Sequence, residues 1–171
     1  LITDNYVSKF NSDGVEQWAD SLDITEGGMA INISKDENIY LAVNIYDHEL
    51  RAQPNNGMDS YIIKYNKDGS KQWTRNVGSS YRQDKGSAIT TDFDGSVYIT
   101  ADGLLAKFNS EGDKKWTEYF EPRDVGKDII ISEDGSIYIT GDHFGDLDGQ
   151  INSGNGDAFI SKFNNDGVKQ W

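Results

Sequence analysis

Cysteine is absent from this chain of 171 residues, and proline occurs only 2 times. Without a thiol there is no disulfide framework, no thiolate zinc site and no cysteine nucleophile, and the redox compartment stays open. Basic residues are scarce: 16 Lys and Arg stand against 29 Asp and Glu, a formal net charge of −13. That balance argues against nucleic acid or insertion into an anionic membrane, because phosphate is bound by clustered Lys and Arg that release counterions. No apolar run approaches the roughly 18 residues of a membrane span. The opening Leu1-Ile2-Thr3-Asp4 reads neither as a signal peptide nor as a Met start, so a processed product or a fragment is expected. Gly-x-Ser-x-Gly, P-loop and His-Glu-x-x-His motifs are also missing.

What the chain does contain is repetition. The segment from Lys9 to Trp18 (Lys-Phe-Asn-Ser-Asp-Gly-Val-Glu-Gln-Trp) returns from Lys64 to Trp73, from Lys107 to Trp116 and from Lys162 to Trp171, and these copies hold all 4 tryptophans. A second unit alternates with it: Asp36-Glu37-Asn38-Ile39-Tyr40, Asp94-Gly95-Ser96-Val97-Tyr98 and Asp134-Gly135-Ser136-Ile137-Tyr138, led at a constant distance by Gly28, Gly86 and Gly126. A repeat of this length points to a propeller or solenoid.

Each unit reads as a hairpin. In Tyr61-Ile62-Ile63-Lys64-Tyr65 followed by Asn66-Lys67-Asp68-Gly69, an aromatic strand meets a turn in which Asn closes an Asx-type loop and Gly takes positive φ. The second unit supplies strands A and B, the first strands C and D. Strand C is apolar on both sides (Tyr61, Ile63 and Tyr65 against Ile62), and so is strand B (Tyr98 against Val97 and Ile99), as in a sheet stacked between two others. Strand D surrounds its Trp with charge (Lys71, Gln72, Thr74 and Arg75 about Trp73), as a protected outer edge does. The expected fold is therefore all-β: a β-propeller of four-stranded antiparallel blades, with a half blade over 1–19 and blades over 26–75, 84–118 and 124–171. That makes about fourteen strands, or about three and a half blades, which cannot close alone. Either a larger ring of about six to eight blades holds them, or a second copy completes one. Trp18, Trp73, Trp116 and Trp171 are expected to dock between blades, each indole removing roughly 150–250 Å² from water.

The pattern Asp157-Ala158-Phe159-Ile160-x-Lys162-Phe163-Asn164-x-x-Gly167-x-x-x-Trp171, preceded by Gly141 and by Gly145-x-Leu147-Asp148-Gly149-Gln150, resembles the bacterial beta-propeller repeat called SBBP. The resemblance covers essentially the whole chain. It implies a large, secreted or surface-attached bacterial protein, without an assigned activity. The Gly-x-x-x-Trp ending is also weakly similar to the tryptophan-docking repeats of quinoprotein dehydrogenases, whose Asp-x-x-Thr-Gly lead-in is lacking here.

Carboxylates recur at fixed places. Asp4, Asp59, Asp102 and Asp157 open every strand C, and Glu26, Asp84 and Asp124 precede every strand A. In an antiparallel blade both series fall on one rim. They either form an acidic face for calcium or a cationic partner, or bond backbone N–H groups at their own loops. Asp142, Asp146 and Asp148 lie close enough together to offer oxygens to calcium, though an ordinary Gly/Asp turn explains them equally. His48 and His143 sit in two insertions on that rim, each after an Asp. An Asp-His couple can serve as a base, but nothing nominates a nucleophile beside it.

The reading that results is a non-catalytic extracellular or cell-surface scaffold that binds protein or glycan through its rim. No cofactor is expected beyond calcium. A carbohydrate-binding propeller would use Tyr46, Tyr81 and Phe144 as stacking platforms, and a propeller hydrolase or lyase would need carboxylates facing across a pocket.

Overall fold

The computed structural model describes residues 5–22, 28–46, 58–78, 85–120, 124–144 and 156–171. Their strands form four antiparallel sheets. β1 (Asn5–Phe10) and β2 (Glu16–Leu22) make the first; β3 (Gly28–Ile33), β4 (Ile39–Tyr46), β5 (Met58–Tyr65) and β6 (Lys71–Asn76) the second. β7 (Gly86–Thr91), β8 (Val97–Ala101), β9 (Leu104–Phe108) and β10 (Lys114–Tyr119) make the third; β11 (Val125–Ile131), β12 (Ile137–His143) and β13 (Asp157–Phe163) the fourth. Strand order within each sheet follows the chain, as in a meander. The A strands β3, β7 and β11 touch one another in succession while the outer strands splay apart, so the sheets radiate as blades of an open propeller.

The turns explain the hairpins. Asn66 Oδ1 accepts from the backbone N–H of Asp68 at 3.1 Å and of Ser70 at 2.8 Å, and Asn11 and Asn164 repeat the arrangement. Gly69 completes the turn at φ 83°, a left-handed conformation that costs a β-carbon about 1–2 kcal/mol. Among the A–B turns, Gly95 and Gly135 sit at φ 78° and 79°, but Glu37 holds the equivalent place at φ 60°.

Alternation along the central strands feeds two apolar layers. Ile39, Leu41 and Val43 of β4 pack toward the first sheet with Val7, Leu22 and Tyr65, while Tyr40 and Ala42 pack toward the third with Ile62, Ile89 and Phe108. The next layer repeats this, with Tyr98 and Leu105 against Ile129, Ile137 and Phe163. Burial on both faces is why strands B and C lack a polar side. The D strands β2, β6 and β10 stay mostly exposed.

Strand D of the last blade departs from expectation. After Gly167 the backbone makes only an isolated bridge, Phe163 to Lys169, with Gln170 N–H to Lys162 O at 2.7 Å and Lys162 N–H to Trp171 O at 2.9 Å. There are thus 13 described strands. In the other blades the ladder extends beyond the Trp, to Leu22, Asn76 and Tyr119.

Three tryptophans span neighbouring blades. Trp18 Nε1 donates to Lys67 O at 3.4 Å, Trp73 Nε1 to Ser110 O at 3.1 Å and Trp116 Nε1 to Asn165 O at 3.2 Å. Each indole lies on the turn glycine of the following blade: a β-carbon on Gly69, Gly112 or Gly167 would meet it at 2.6, 3.0 or 3.1 Å. Trp171 differs from the expected interblade role. It is 56% exposed and touches Tyr138 of its own blade, ring centroids 6.2 Å apart.

Nearer the axis the A-strand glycines Gly86 and Gly126 permit close approach. An added β-carbon would run into the Ser60 hydroxyl at Gly86 and the Thr100 hydroxyl at Gly126.

Candidate functional site

The two ends of the blades differ in chemistry. At one end lie the starts of strands A and C, where sequence patterning placed an acidic rim. There Asp59 and Asp124 are buried. Asp59 Oδ2 accepts from Asn76 Nδ2 at 3.4 Å, and Asp102 donates its backbone N–H to Lys85 O at 2.9 Å while bridging to Val125. Asp157 stands opposite His143 in the β12–β13 ladder. Asp59 and Asp124 are thus turned into the structure and not onto an open face, whereas Asp102 and Asp157 are partly exposed; Asp4, Glu26 and Asp84 lie outside the described residues.

His143 likewise lies in a strand and not in a rim insertion. It is the last residue of β12 and is buried, with Nδ1 against the Asp124 carboxylate. The residue before it, Asp142, turns to Lys127 instead, Nζ to Oδ2 3.7 Å. The couple is therefore formed across strands A and B and not by sequence neighbours. Among the described residues no three metal-capable side chains gather; Asp146, Asp148 and His48 lie outside them. So does Tyr81, and of the Tyr46 side chain nothing is described. Phe144 is exposed and lies beside Gly156.

The opposite end carries a cleft that sequence patterning did not nominate. Three A–B turns converge there as the A strands meet. Its volume is about 740 Å³, with Ile33 and Ile131 on its apolar side and Lys35, Phe93, Asp94 and Glu133 around it. Asp92 is fixed as a turn acceptor for the N–H groups of Asp94 at 3.0 Å and Ser96 at 2.8 Å, and also accepts from Tyr98 Oη at 3.0 Å. Asp134 accepts from Ser132 Oγ at 2.5 Å and Ser136 N–H at 2.9 Å. The Ser132 hydroxyl, helped by the Ser136 N–H, holds the Asp134 carboxyl down at about 2. Burial, reinforced by Asp92, pushes the Tyr98 phenol well up, so it stays a hydrogen-bond donor at neutral pH.

Phe93 stands out. It is 77% exposed at the tip of its turn, with Lys35 Nζ 3.7 Å from the ring centroid. The available signal was a break in the repeat: the same turn position holds Lys35 and Glu133 in the other copies. The ring carries the Lys35 ammonium on one face and shares its recess with the carboxylates of Asp94 and Glu133. The recess can hold an apolar group on Phe93, Ile33 and Ile131, and a cation beside Asp94 and Glu133.

The family model described as beta-propeller repeat, SBBP, matches residues 72–103, from the β6 region through the β7–β8 hairpin. Solved structures share the fold. A protein of unknown function from Bacteroides caccae is 10% identical, with 94% of this chain and 54% of that one covered, at TM-score 0.57. BamB from Moraxella catarrhalis is 14% identical over 79% of this chain and 34% of its own, at TM-score 0.52. A gluconolactonase from Xanthomonas campestris is 15% identical over 82% and 42%, at TM-score 0.52. The chain spans about half or less of these structures, and at such identities the likeness is one of fold. No curated protein matches the sequence.

Proposed function

We propose that the chain is part of a non-catalytic bacterial propeller scaffold, extracellular or at the cell surface, whose turn-end cleft holds a basic and apolar segment of a partner protein. The exposed Phe93 in that cleft carries the reading, because an aromatic ring that already accepts the Lys35 ammonium on its face, beside carboxylates, is the chemistry that recognises Lys or Arg next to an apolar side chain. A net charge of −13 favours the same class of partner through long-range attraction. Two observations support the absence of catalysis. Among the described residues, those recurring in every repeat are engaged in turns, ladders or ring contacts, and the carboxyls of Glu111 and Asp134 are both held low at exposed turns, the opposite of a poised proton donor. The extracellular assignment draws on the resemblance of the repeats.

A peptide array of mixed basic and apolar sequences, run beside a glycan array, tests the proposal. Peptide binding measured by calorimetry should weaken about tenfold or more in Phe93→Ala, fall with added salt, and leave the melting temperature unchanged. Absence of peptide binding, or glycan binding that survives Phe93→Ala, overturns it.

A further inference from the structure

The turn-end cleft holds a cation of its own. At one turn position the successive A–B turns carry Lys35, Phe93 and Glu133, so the second, third and fourth sheets set an ammonium, an aromatic ring and a carboxylate around one recess. The Lys35 ammonium reaches from its own turn to the next and lies 3.7 Å from the Phe93 ring centroid, against 5.0–5.6 Å for the other cations that face rings among the described residues. Four of those others are tethered besides. Lys64, Lys107 and Lys114 donate to Ser110 O, Asn165 Oδ1 and Val77 O at 2.8, 2.6 and 2.9 Å, and Arg75 donates to Gly112 O at 2.8 Å. Lys35 has only the ring: among the described residues no hydrogen bond or ion pair holds its ammonium, and no ion pair involves Asp94 or Glu133.

An ammonium resting on the ring of a carboxylate-lined recess stands where the Lys or Arg of the proposed partner is to be held. We infer that Lys35 is a built-in competitor for this aromatic seat: while its ammonium covers Phe93 the cleft is masked, and a partner's cation binds by displacing it. The inference rests on the partner chemistry proposed for the cleft and adds its regulation. An exposed contact between a cation and a ring is weak enough to break, and at its usual strength the ring is covered about two to five times as often as it is open. Removing Lys35 should therefore tighten the binding of a cation about three- to sixfold, since apparent affinity scales with the open fraction. Lys35 also sharpens selectivity. A segment that offers charge alone must displace an equal charge, whereas one with an adjacent apolar side chain gains contact with Ile33 and Ile131 as well.

Tetramethylammonium chloride is the probe, titrated into the full chain against sodium chloride at equal ionic strength and followed by NMR. In the free protein the Lys35 ε-methylene protons should be shifted upfield by the Phe93 ring. That shift should vanish in Phe93→Leu and disappear saturably as tetramethylammonium enters. Lys35→Ala and Lys35→Gln should bind the probe about three- to sixfold more tightly, and Lys35→Arg should not. Lys35→Ala made in the Phe93→Leu background should bring no gain. An equal gain there would mean that Lys35 acts only through its charge, and overturns the inference. So does a Lys35 shift that is absent from the free protein or that persists when the probe saturates. The strongest peptide of the array repeats the comparison. A blank array with tighter probe binding in Lys35→Ala sinks the proposed partner and leaves the masked seat standing; peptide binding that Lys35→Ala leaves unaltered does the reverse.

Discussion

The third sheet and the fourth are built from the same repeat, yet one is covered on both faces and the other on one. In β8 and β9 nearly every residue is buried, and Leu105 is fully so. In β13 its equivalent Ile160 is 61% exposed, and Ile130 beside it in β11 is equally open. Tyr98 is fully buried and hydrogen-bonded to Asn165 of the next blade at 2.6 Å, whereas Tyr138 is only half-buried. The composition of the two sheets is alike; what differs is a neighbour. A blade's stability is therefore largely a property of its interfaces, as expected of a repeat whose single unit cannot bury its own apolar faces.

The strongest way to break this comparison is at the indoles. Trp116→Ala should cost about 2–4 kcal/mol, since it empties the space above Gly167 and removes the hydrogen bond to the Asn165 carbonyl. Trp171→Ala should cost under about 1 kcal/mol, because its ring is largely in solvent. Urea unfolding of the two variants measures the gap, and equal losses would show that the interblade contact contributes little.

At the axis, Gly126→Ala should destabilise by about 1–3 kcal/mol through collision with the Thr100 hydroxyl. Combining it with Thr100→Ser, which keeps the hydroxyl but removes the methyl carbon that also lies close, should return only part of the loss. Full recovery would mean that the methyl and not the hydroxyl sets the blade spacing.

A smaller effect sharpens the comparison of turns. Glu37→Gly should stabilise by about 1 kcal/mol, because Glu37 occupies a left-handed conformation that Gly95 and Gly135 take in the sister turns without a β-carbon. No gain in thermal midpoint would mean that the Glu37 side chain offsets the strain elsewhere.

The smallest effect is one of titration. Asp134 has its folded pKa lowered to about 2 by Ser132 and Ser136, so its turn bonds favour the folded state above the ordinary aspartate pKa. That contribution fades as pH falls toward 2. In a carboxyl NMR titration, Ser132→Ala should move Asp134 back toward the ordinary value; an unmoved curve would assign the depression to the backbone N–H alone.

The blades were legible in the sequence because each hairpin is written within a short span: an apolar strand, an Asn or Asp that folds back on its own backbone, a glycine and a Trp. Those turns form in the structure where the pattern predicts them, at Asn11, Asn66, Asn109 and Asn164. The candidate site was less legible. The acidic series was read from its regularity, but regularity in a repeat marks a structural task as readily as a binding one, and Asp59 and Asp124 lie buried among their neighbours. Phe93 was visible only as an exception to the pattern.

Local chemistry along the chain dictated the strands, their turns and their two-sided apolar character, since each depends on residues within about ten positions of one another. Which indole meets which glycine, why Gly86 and Gly126 can carry no side chain, and where three turns enclose a cleft were settled by the stacking of sheets. Trp18 and Lys67 are 49 residues apart, and only the folded geometry brings them within a hydrogen bond.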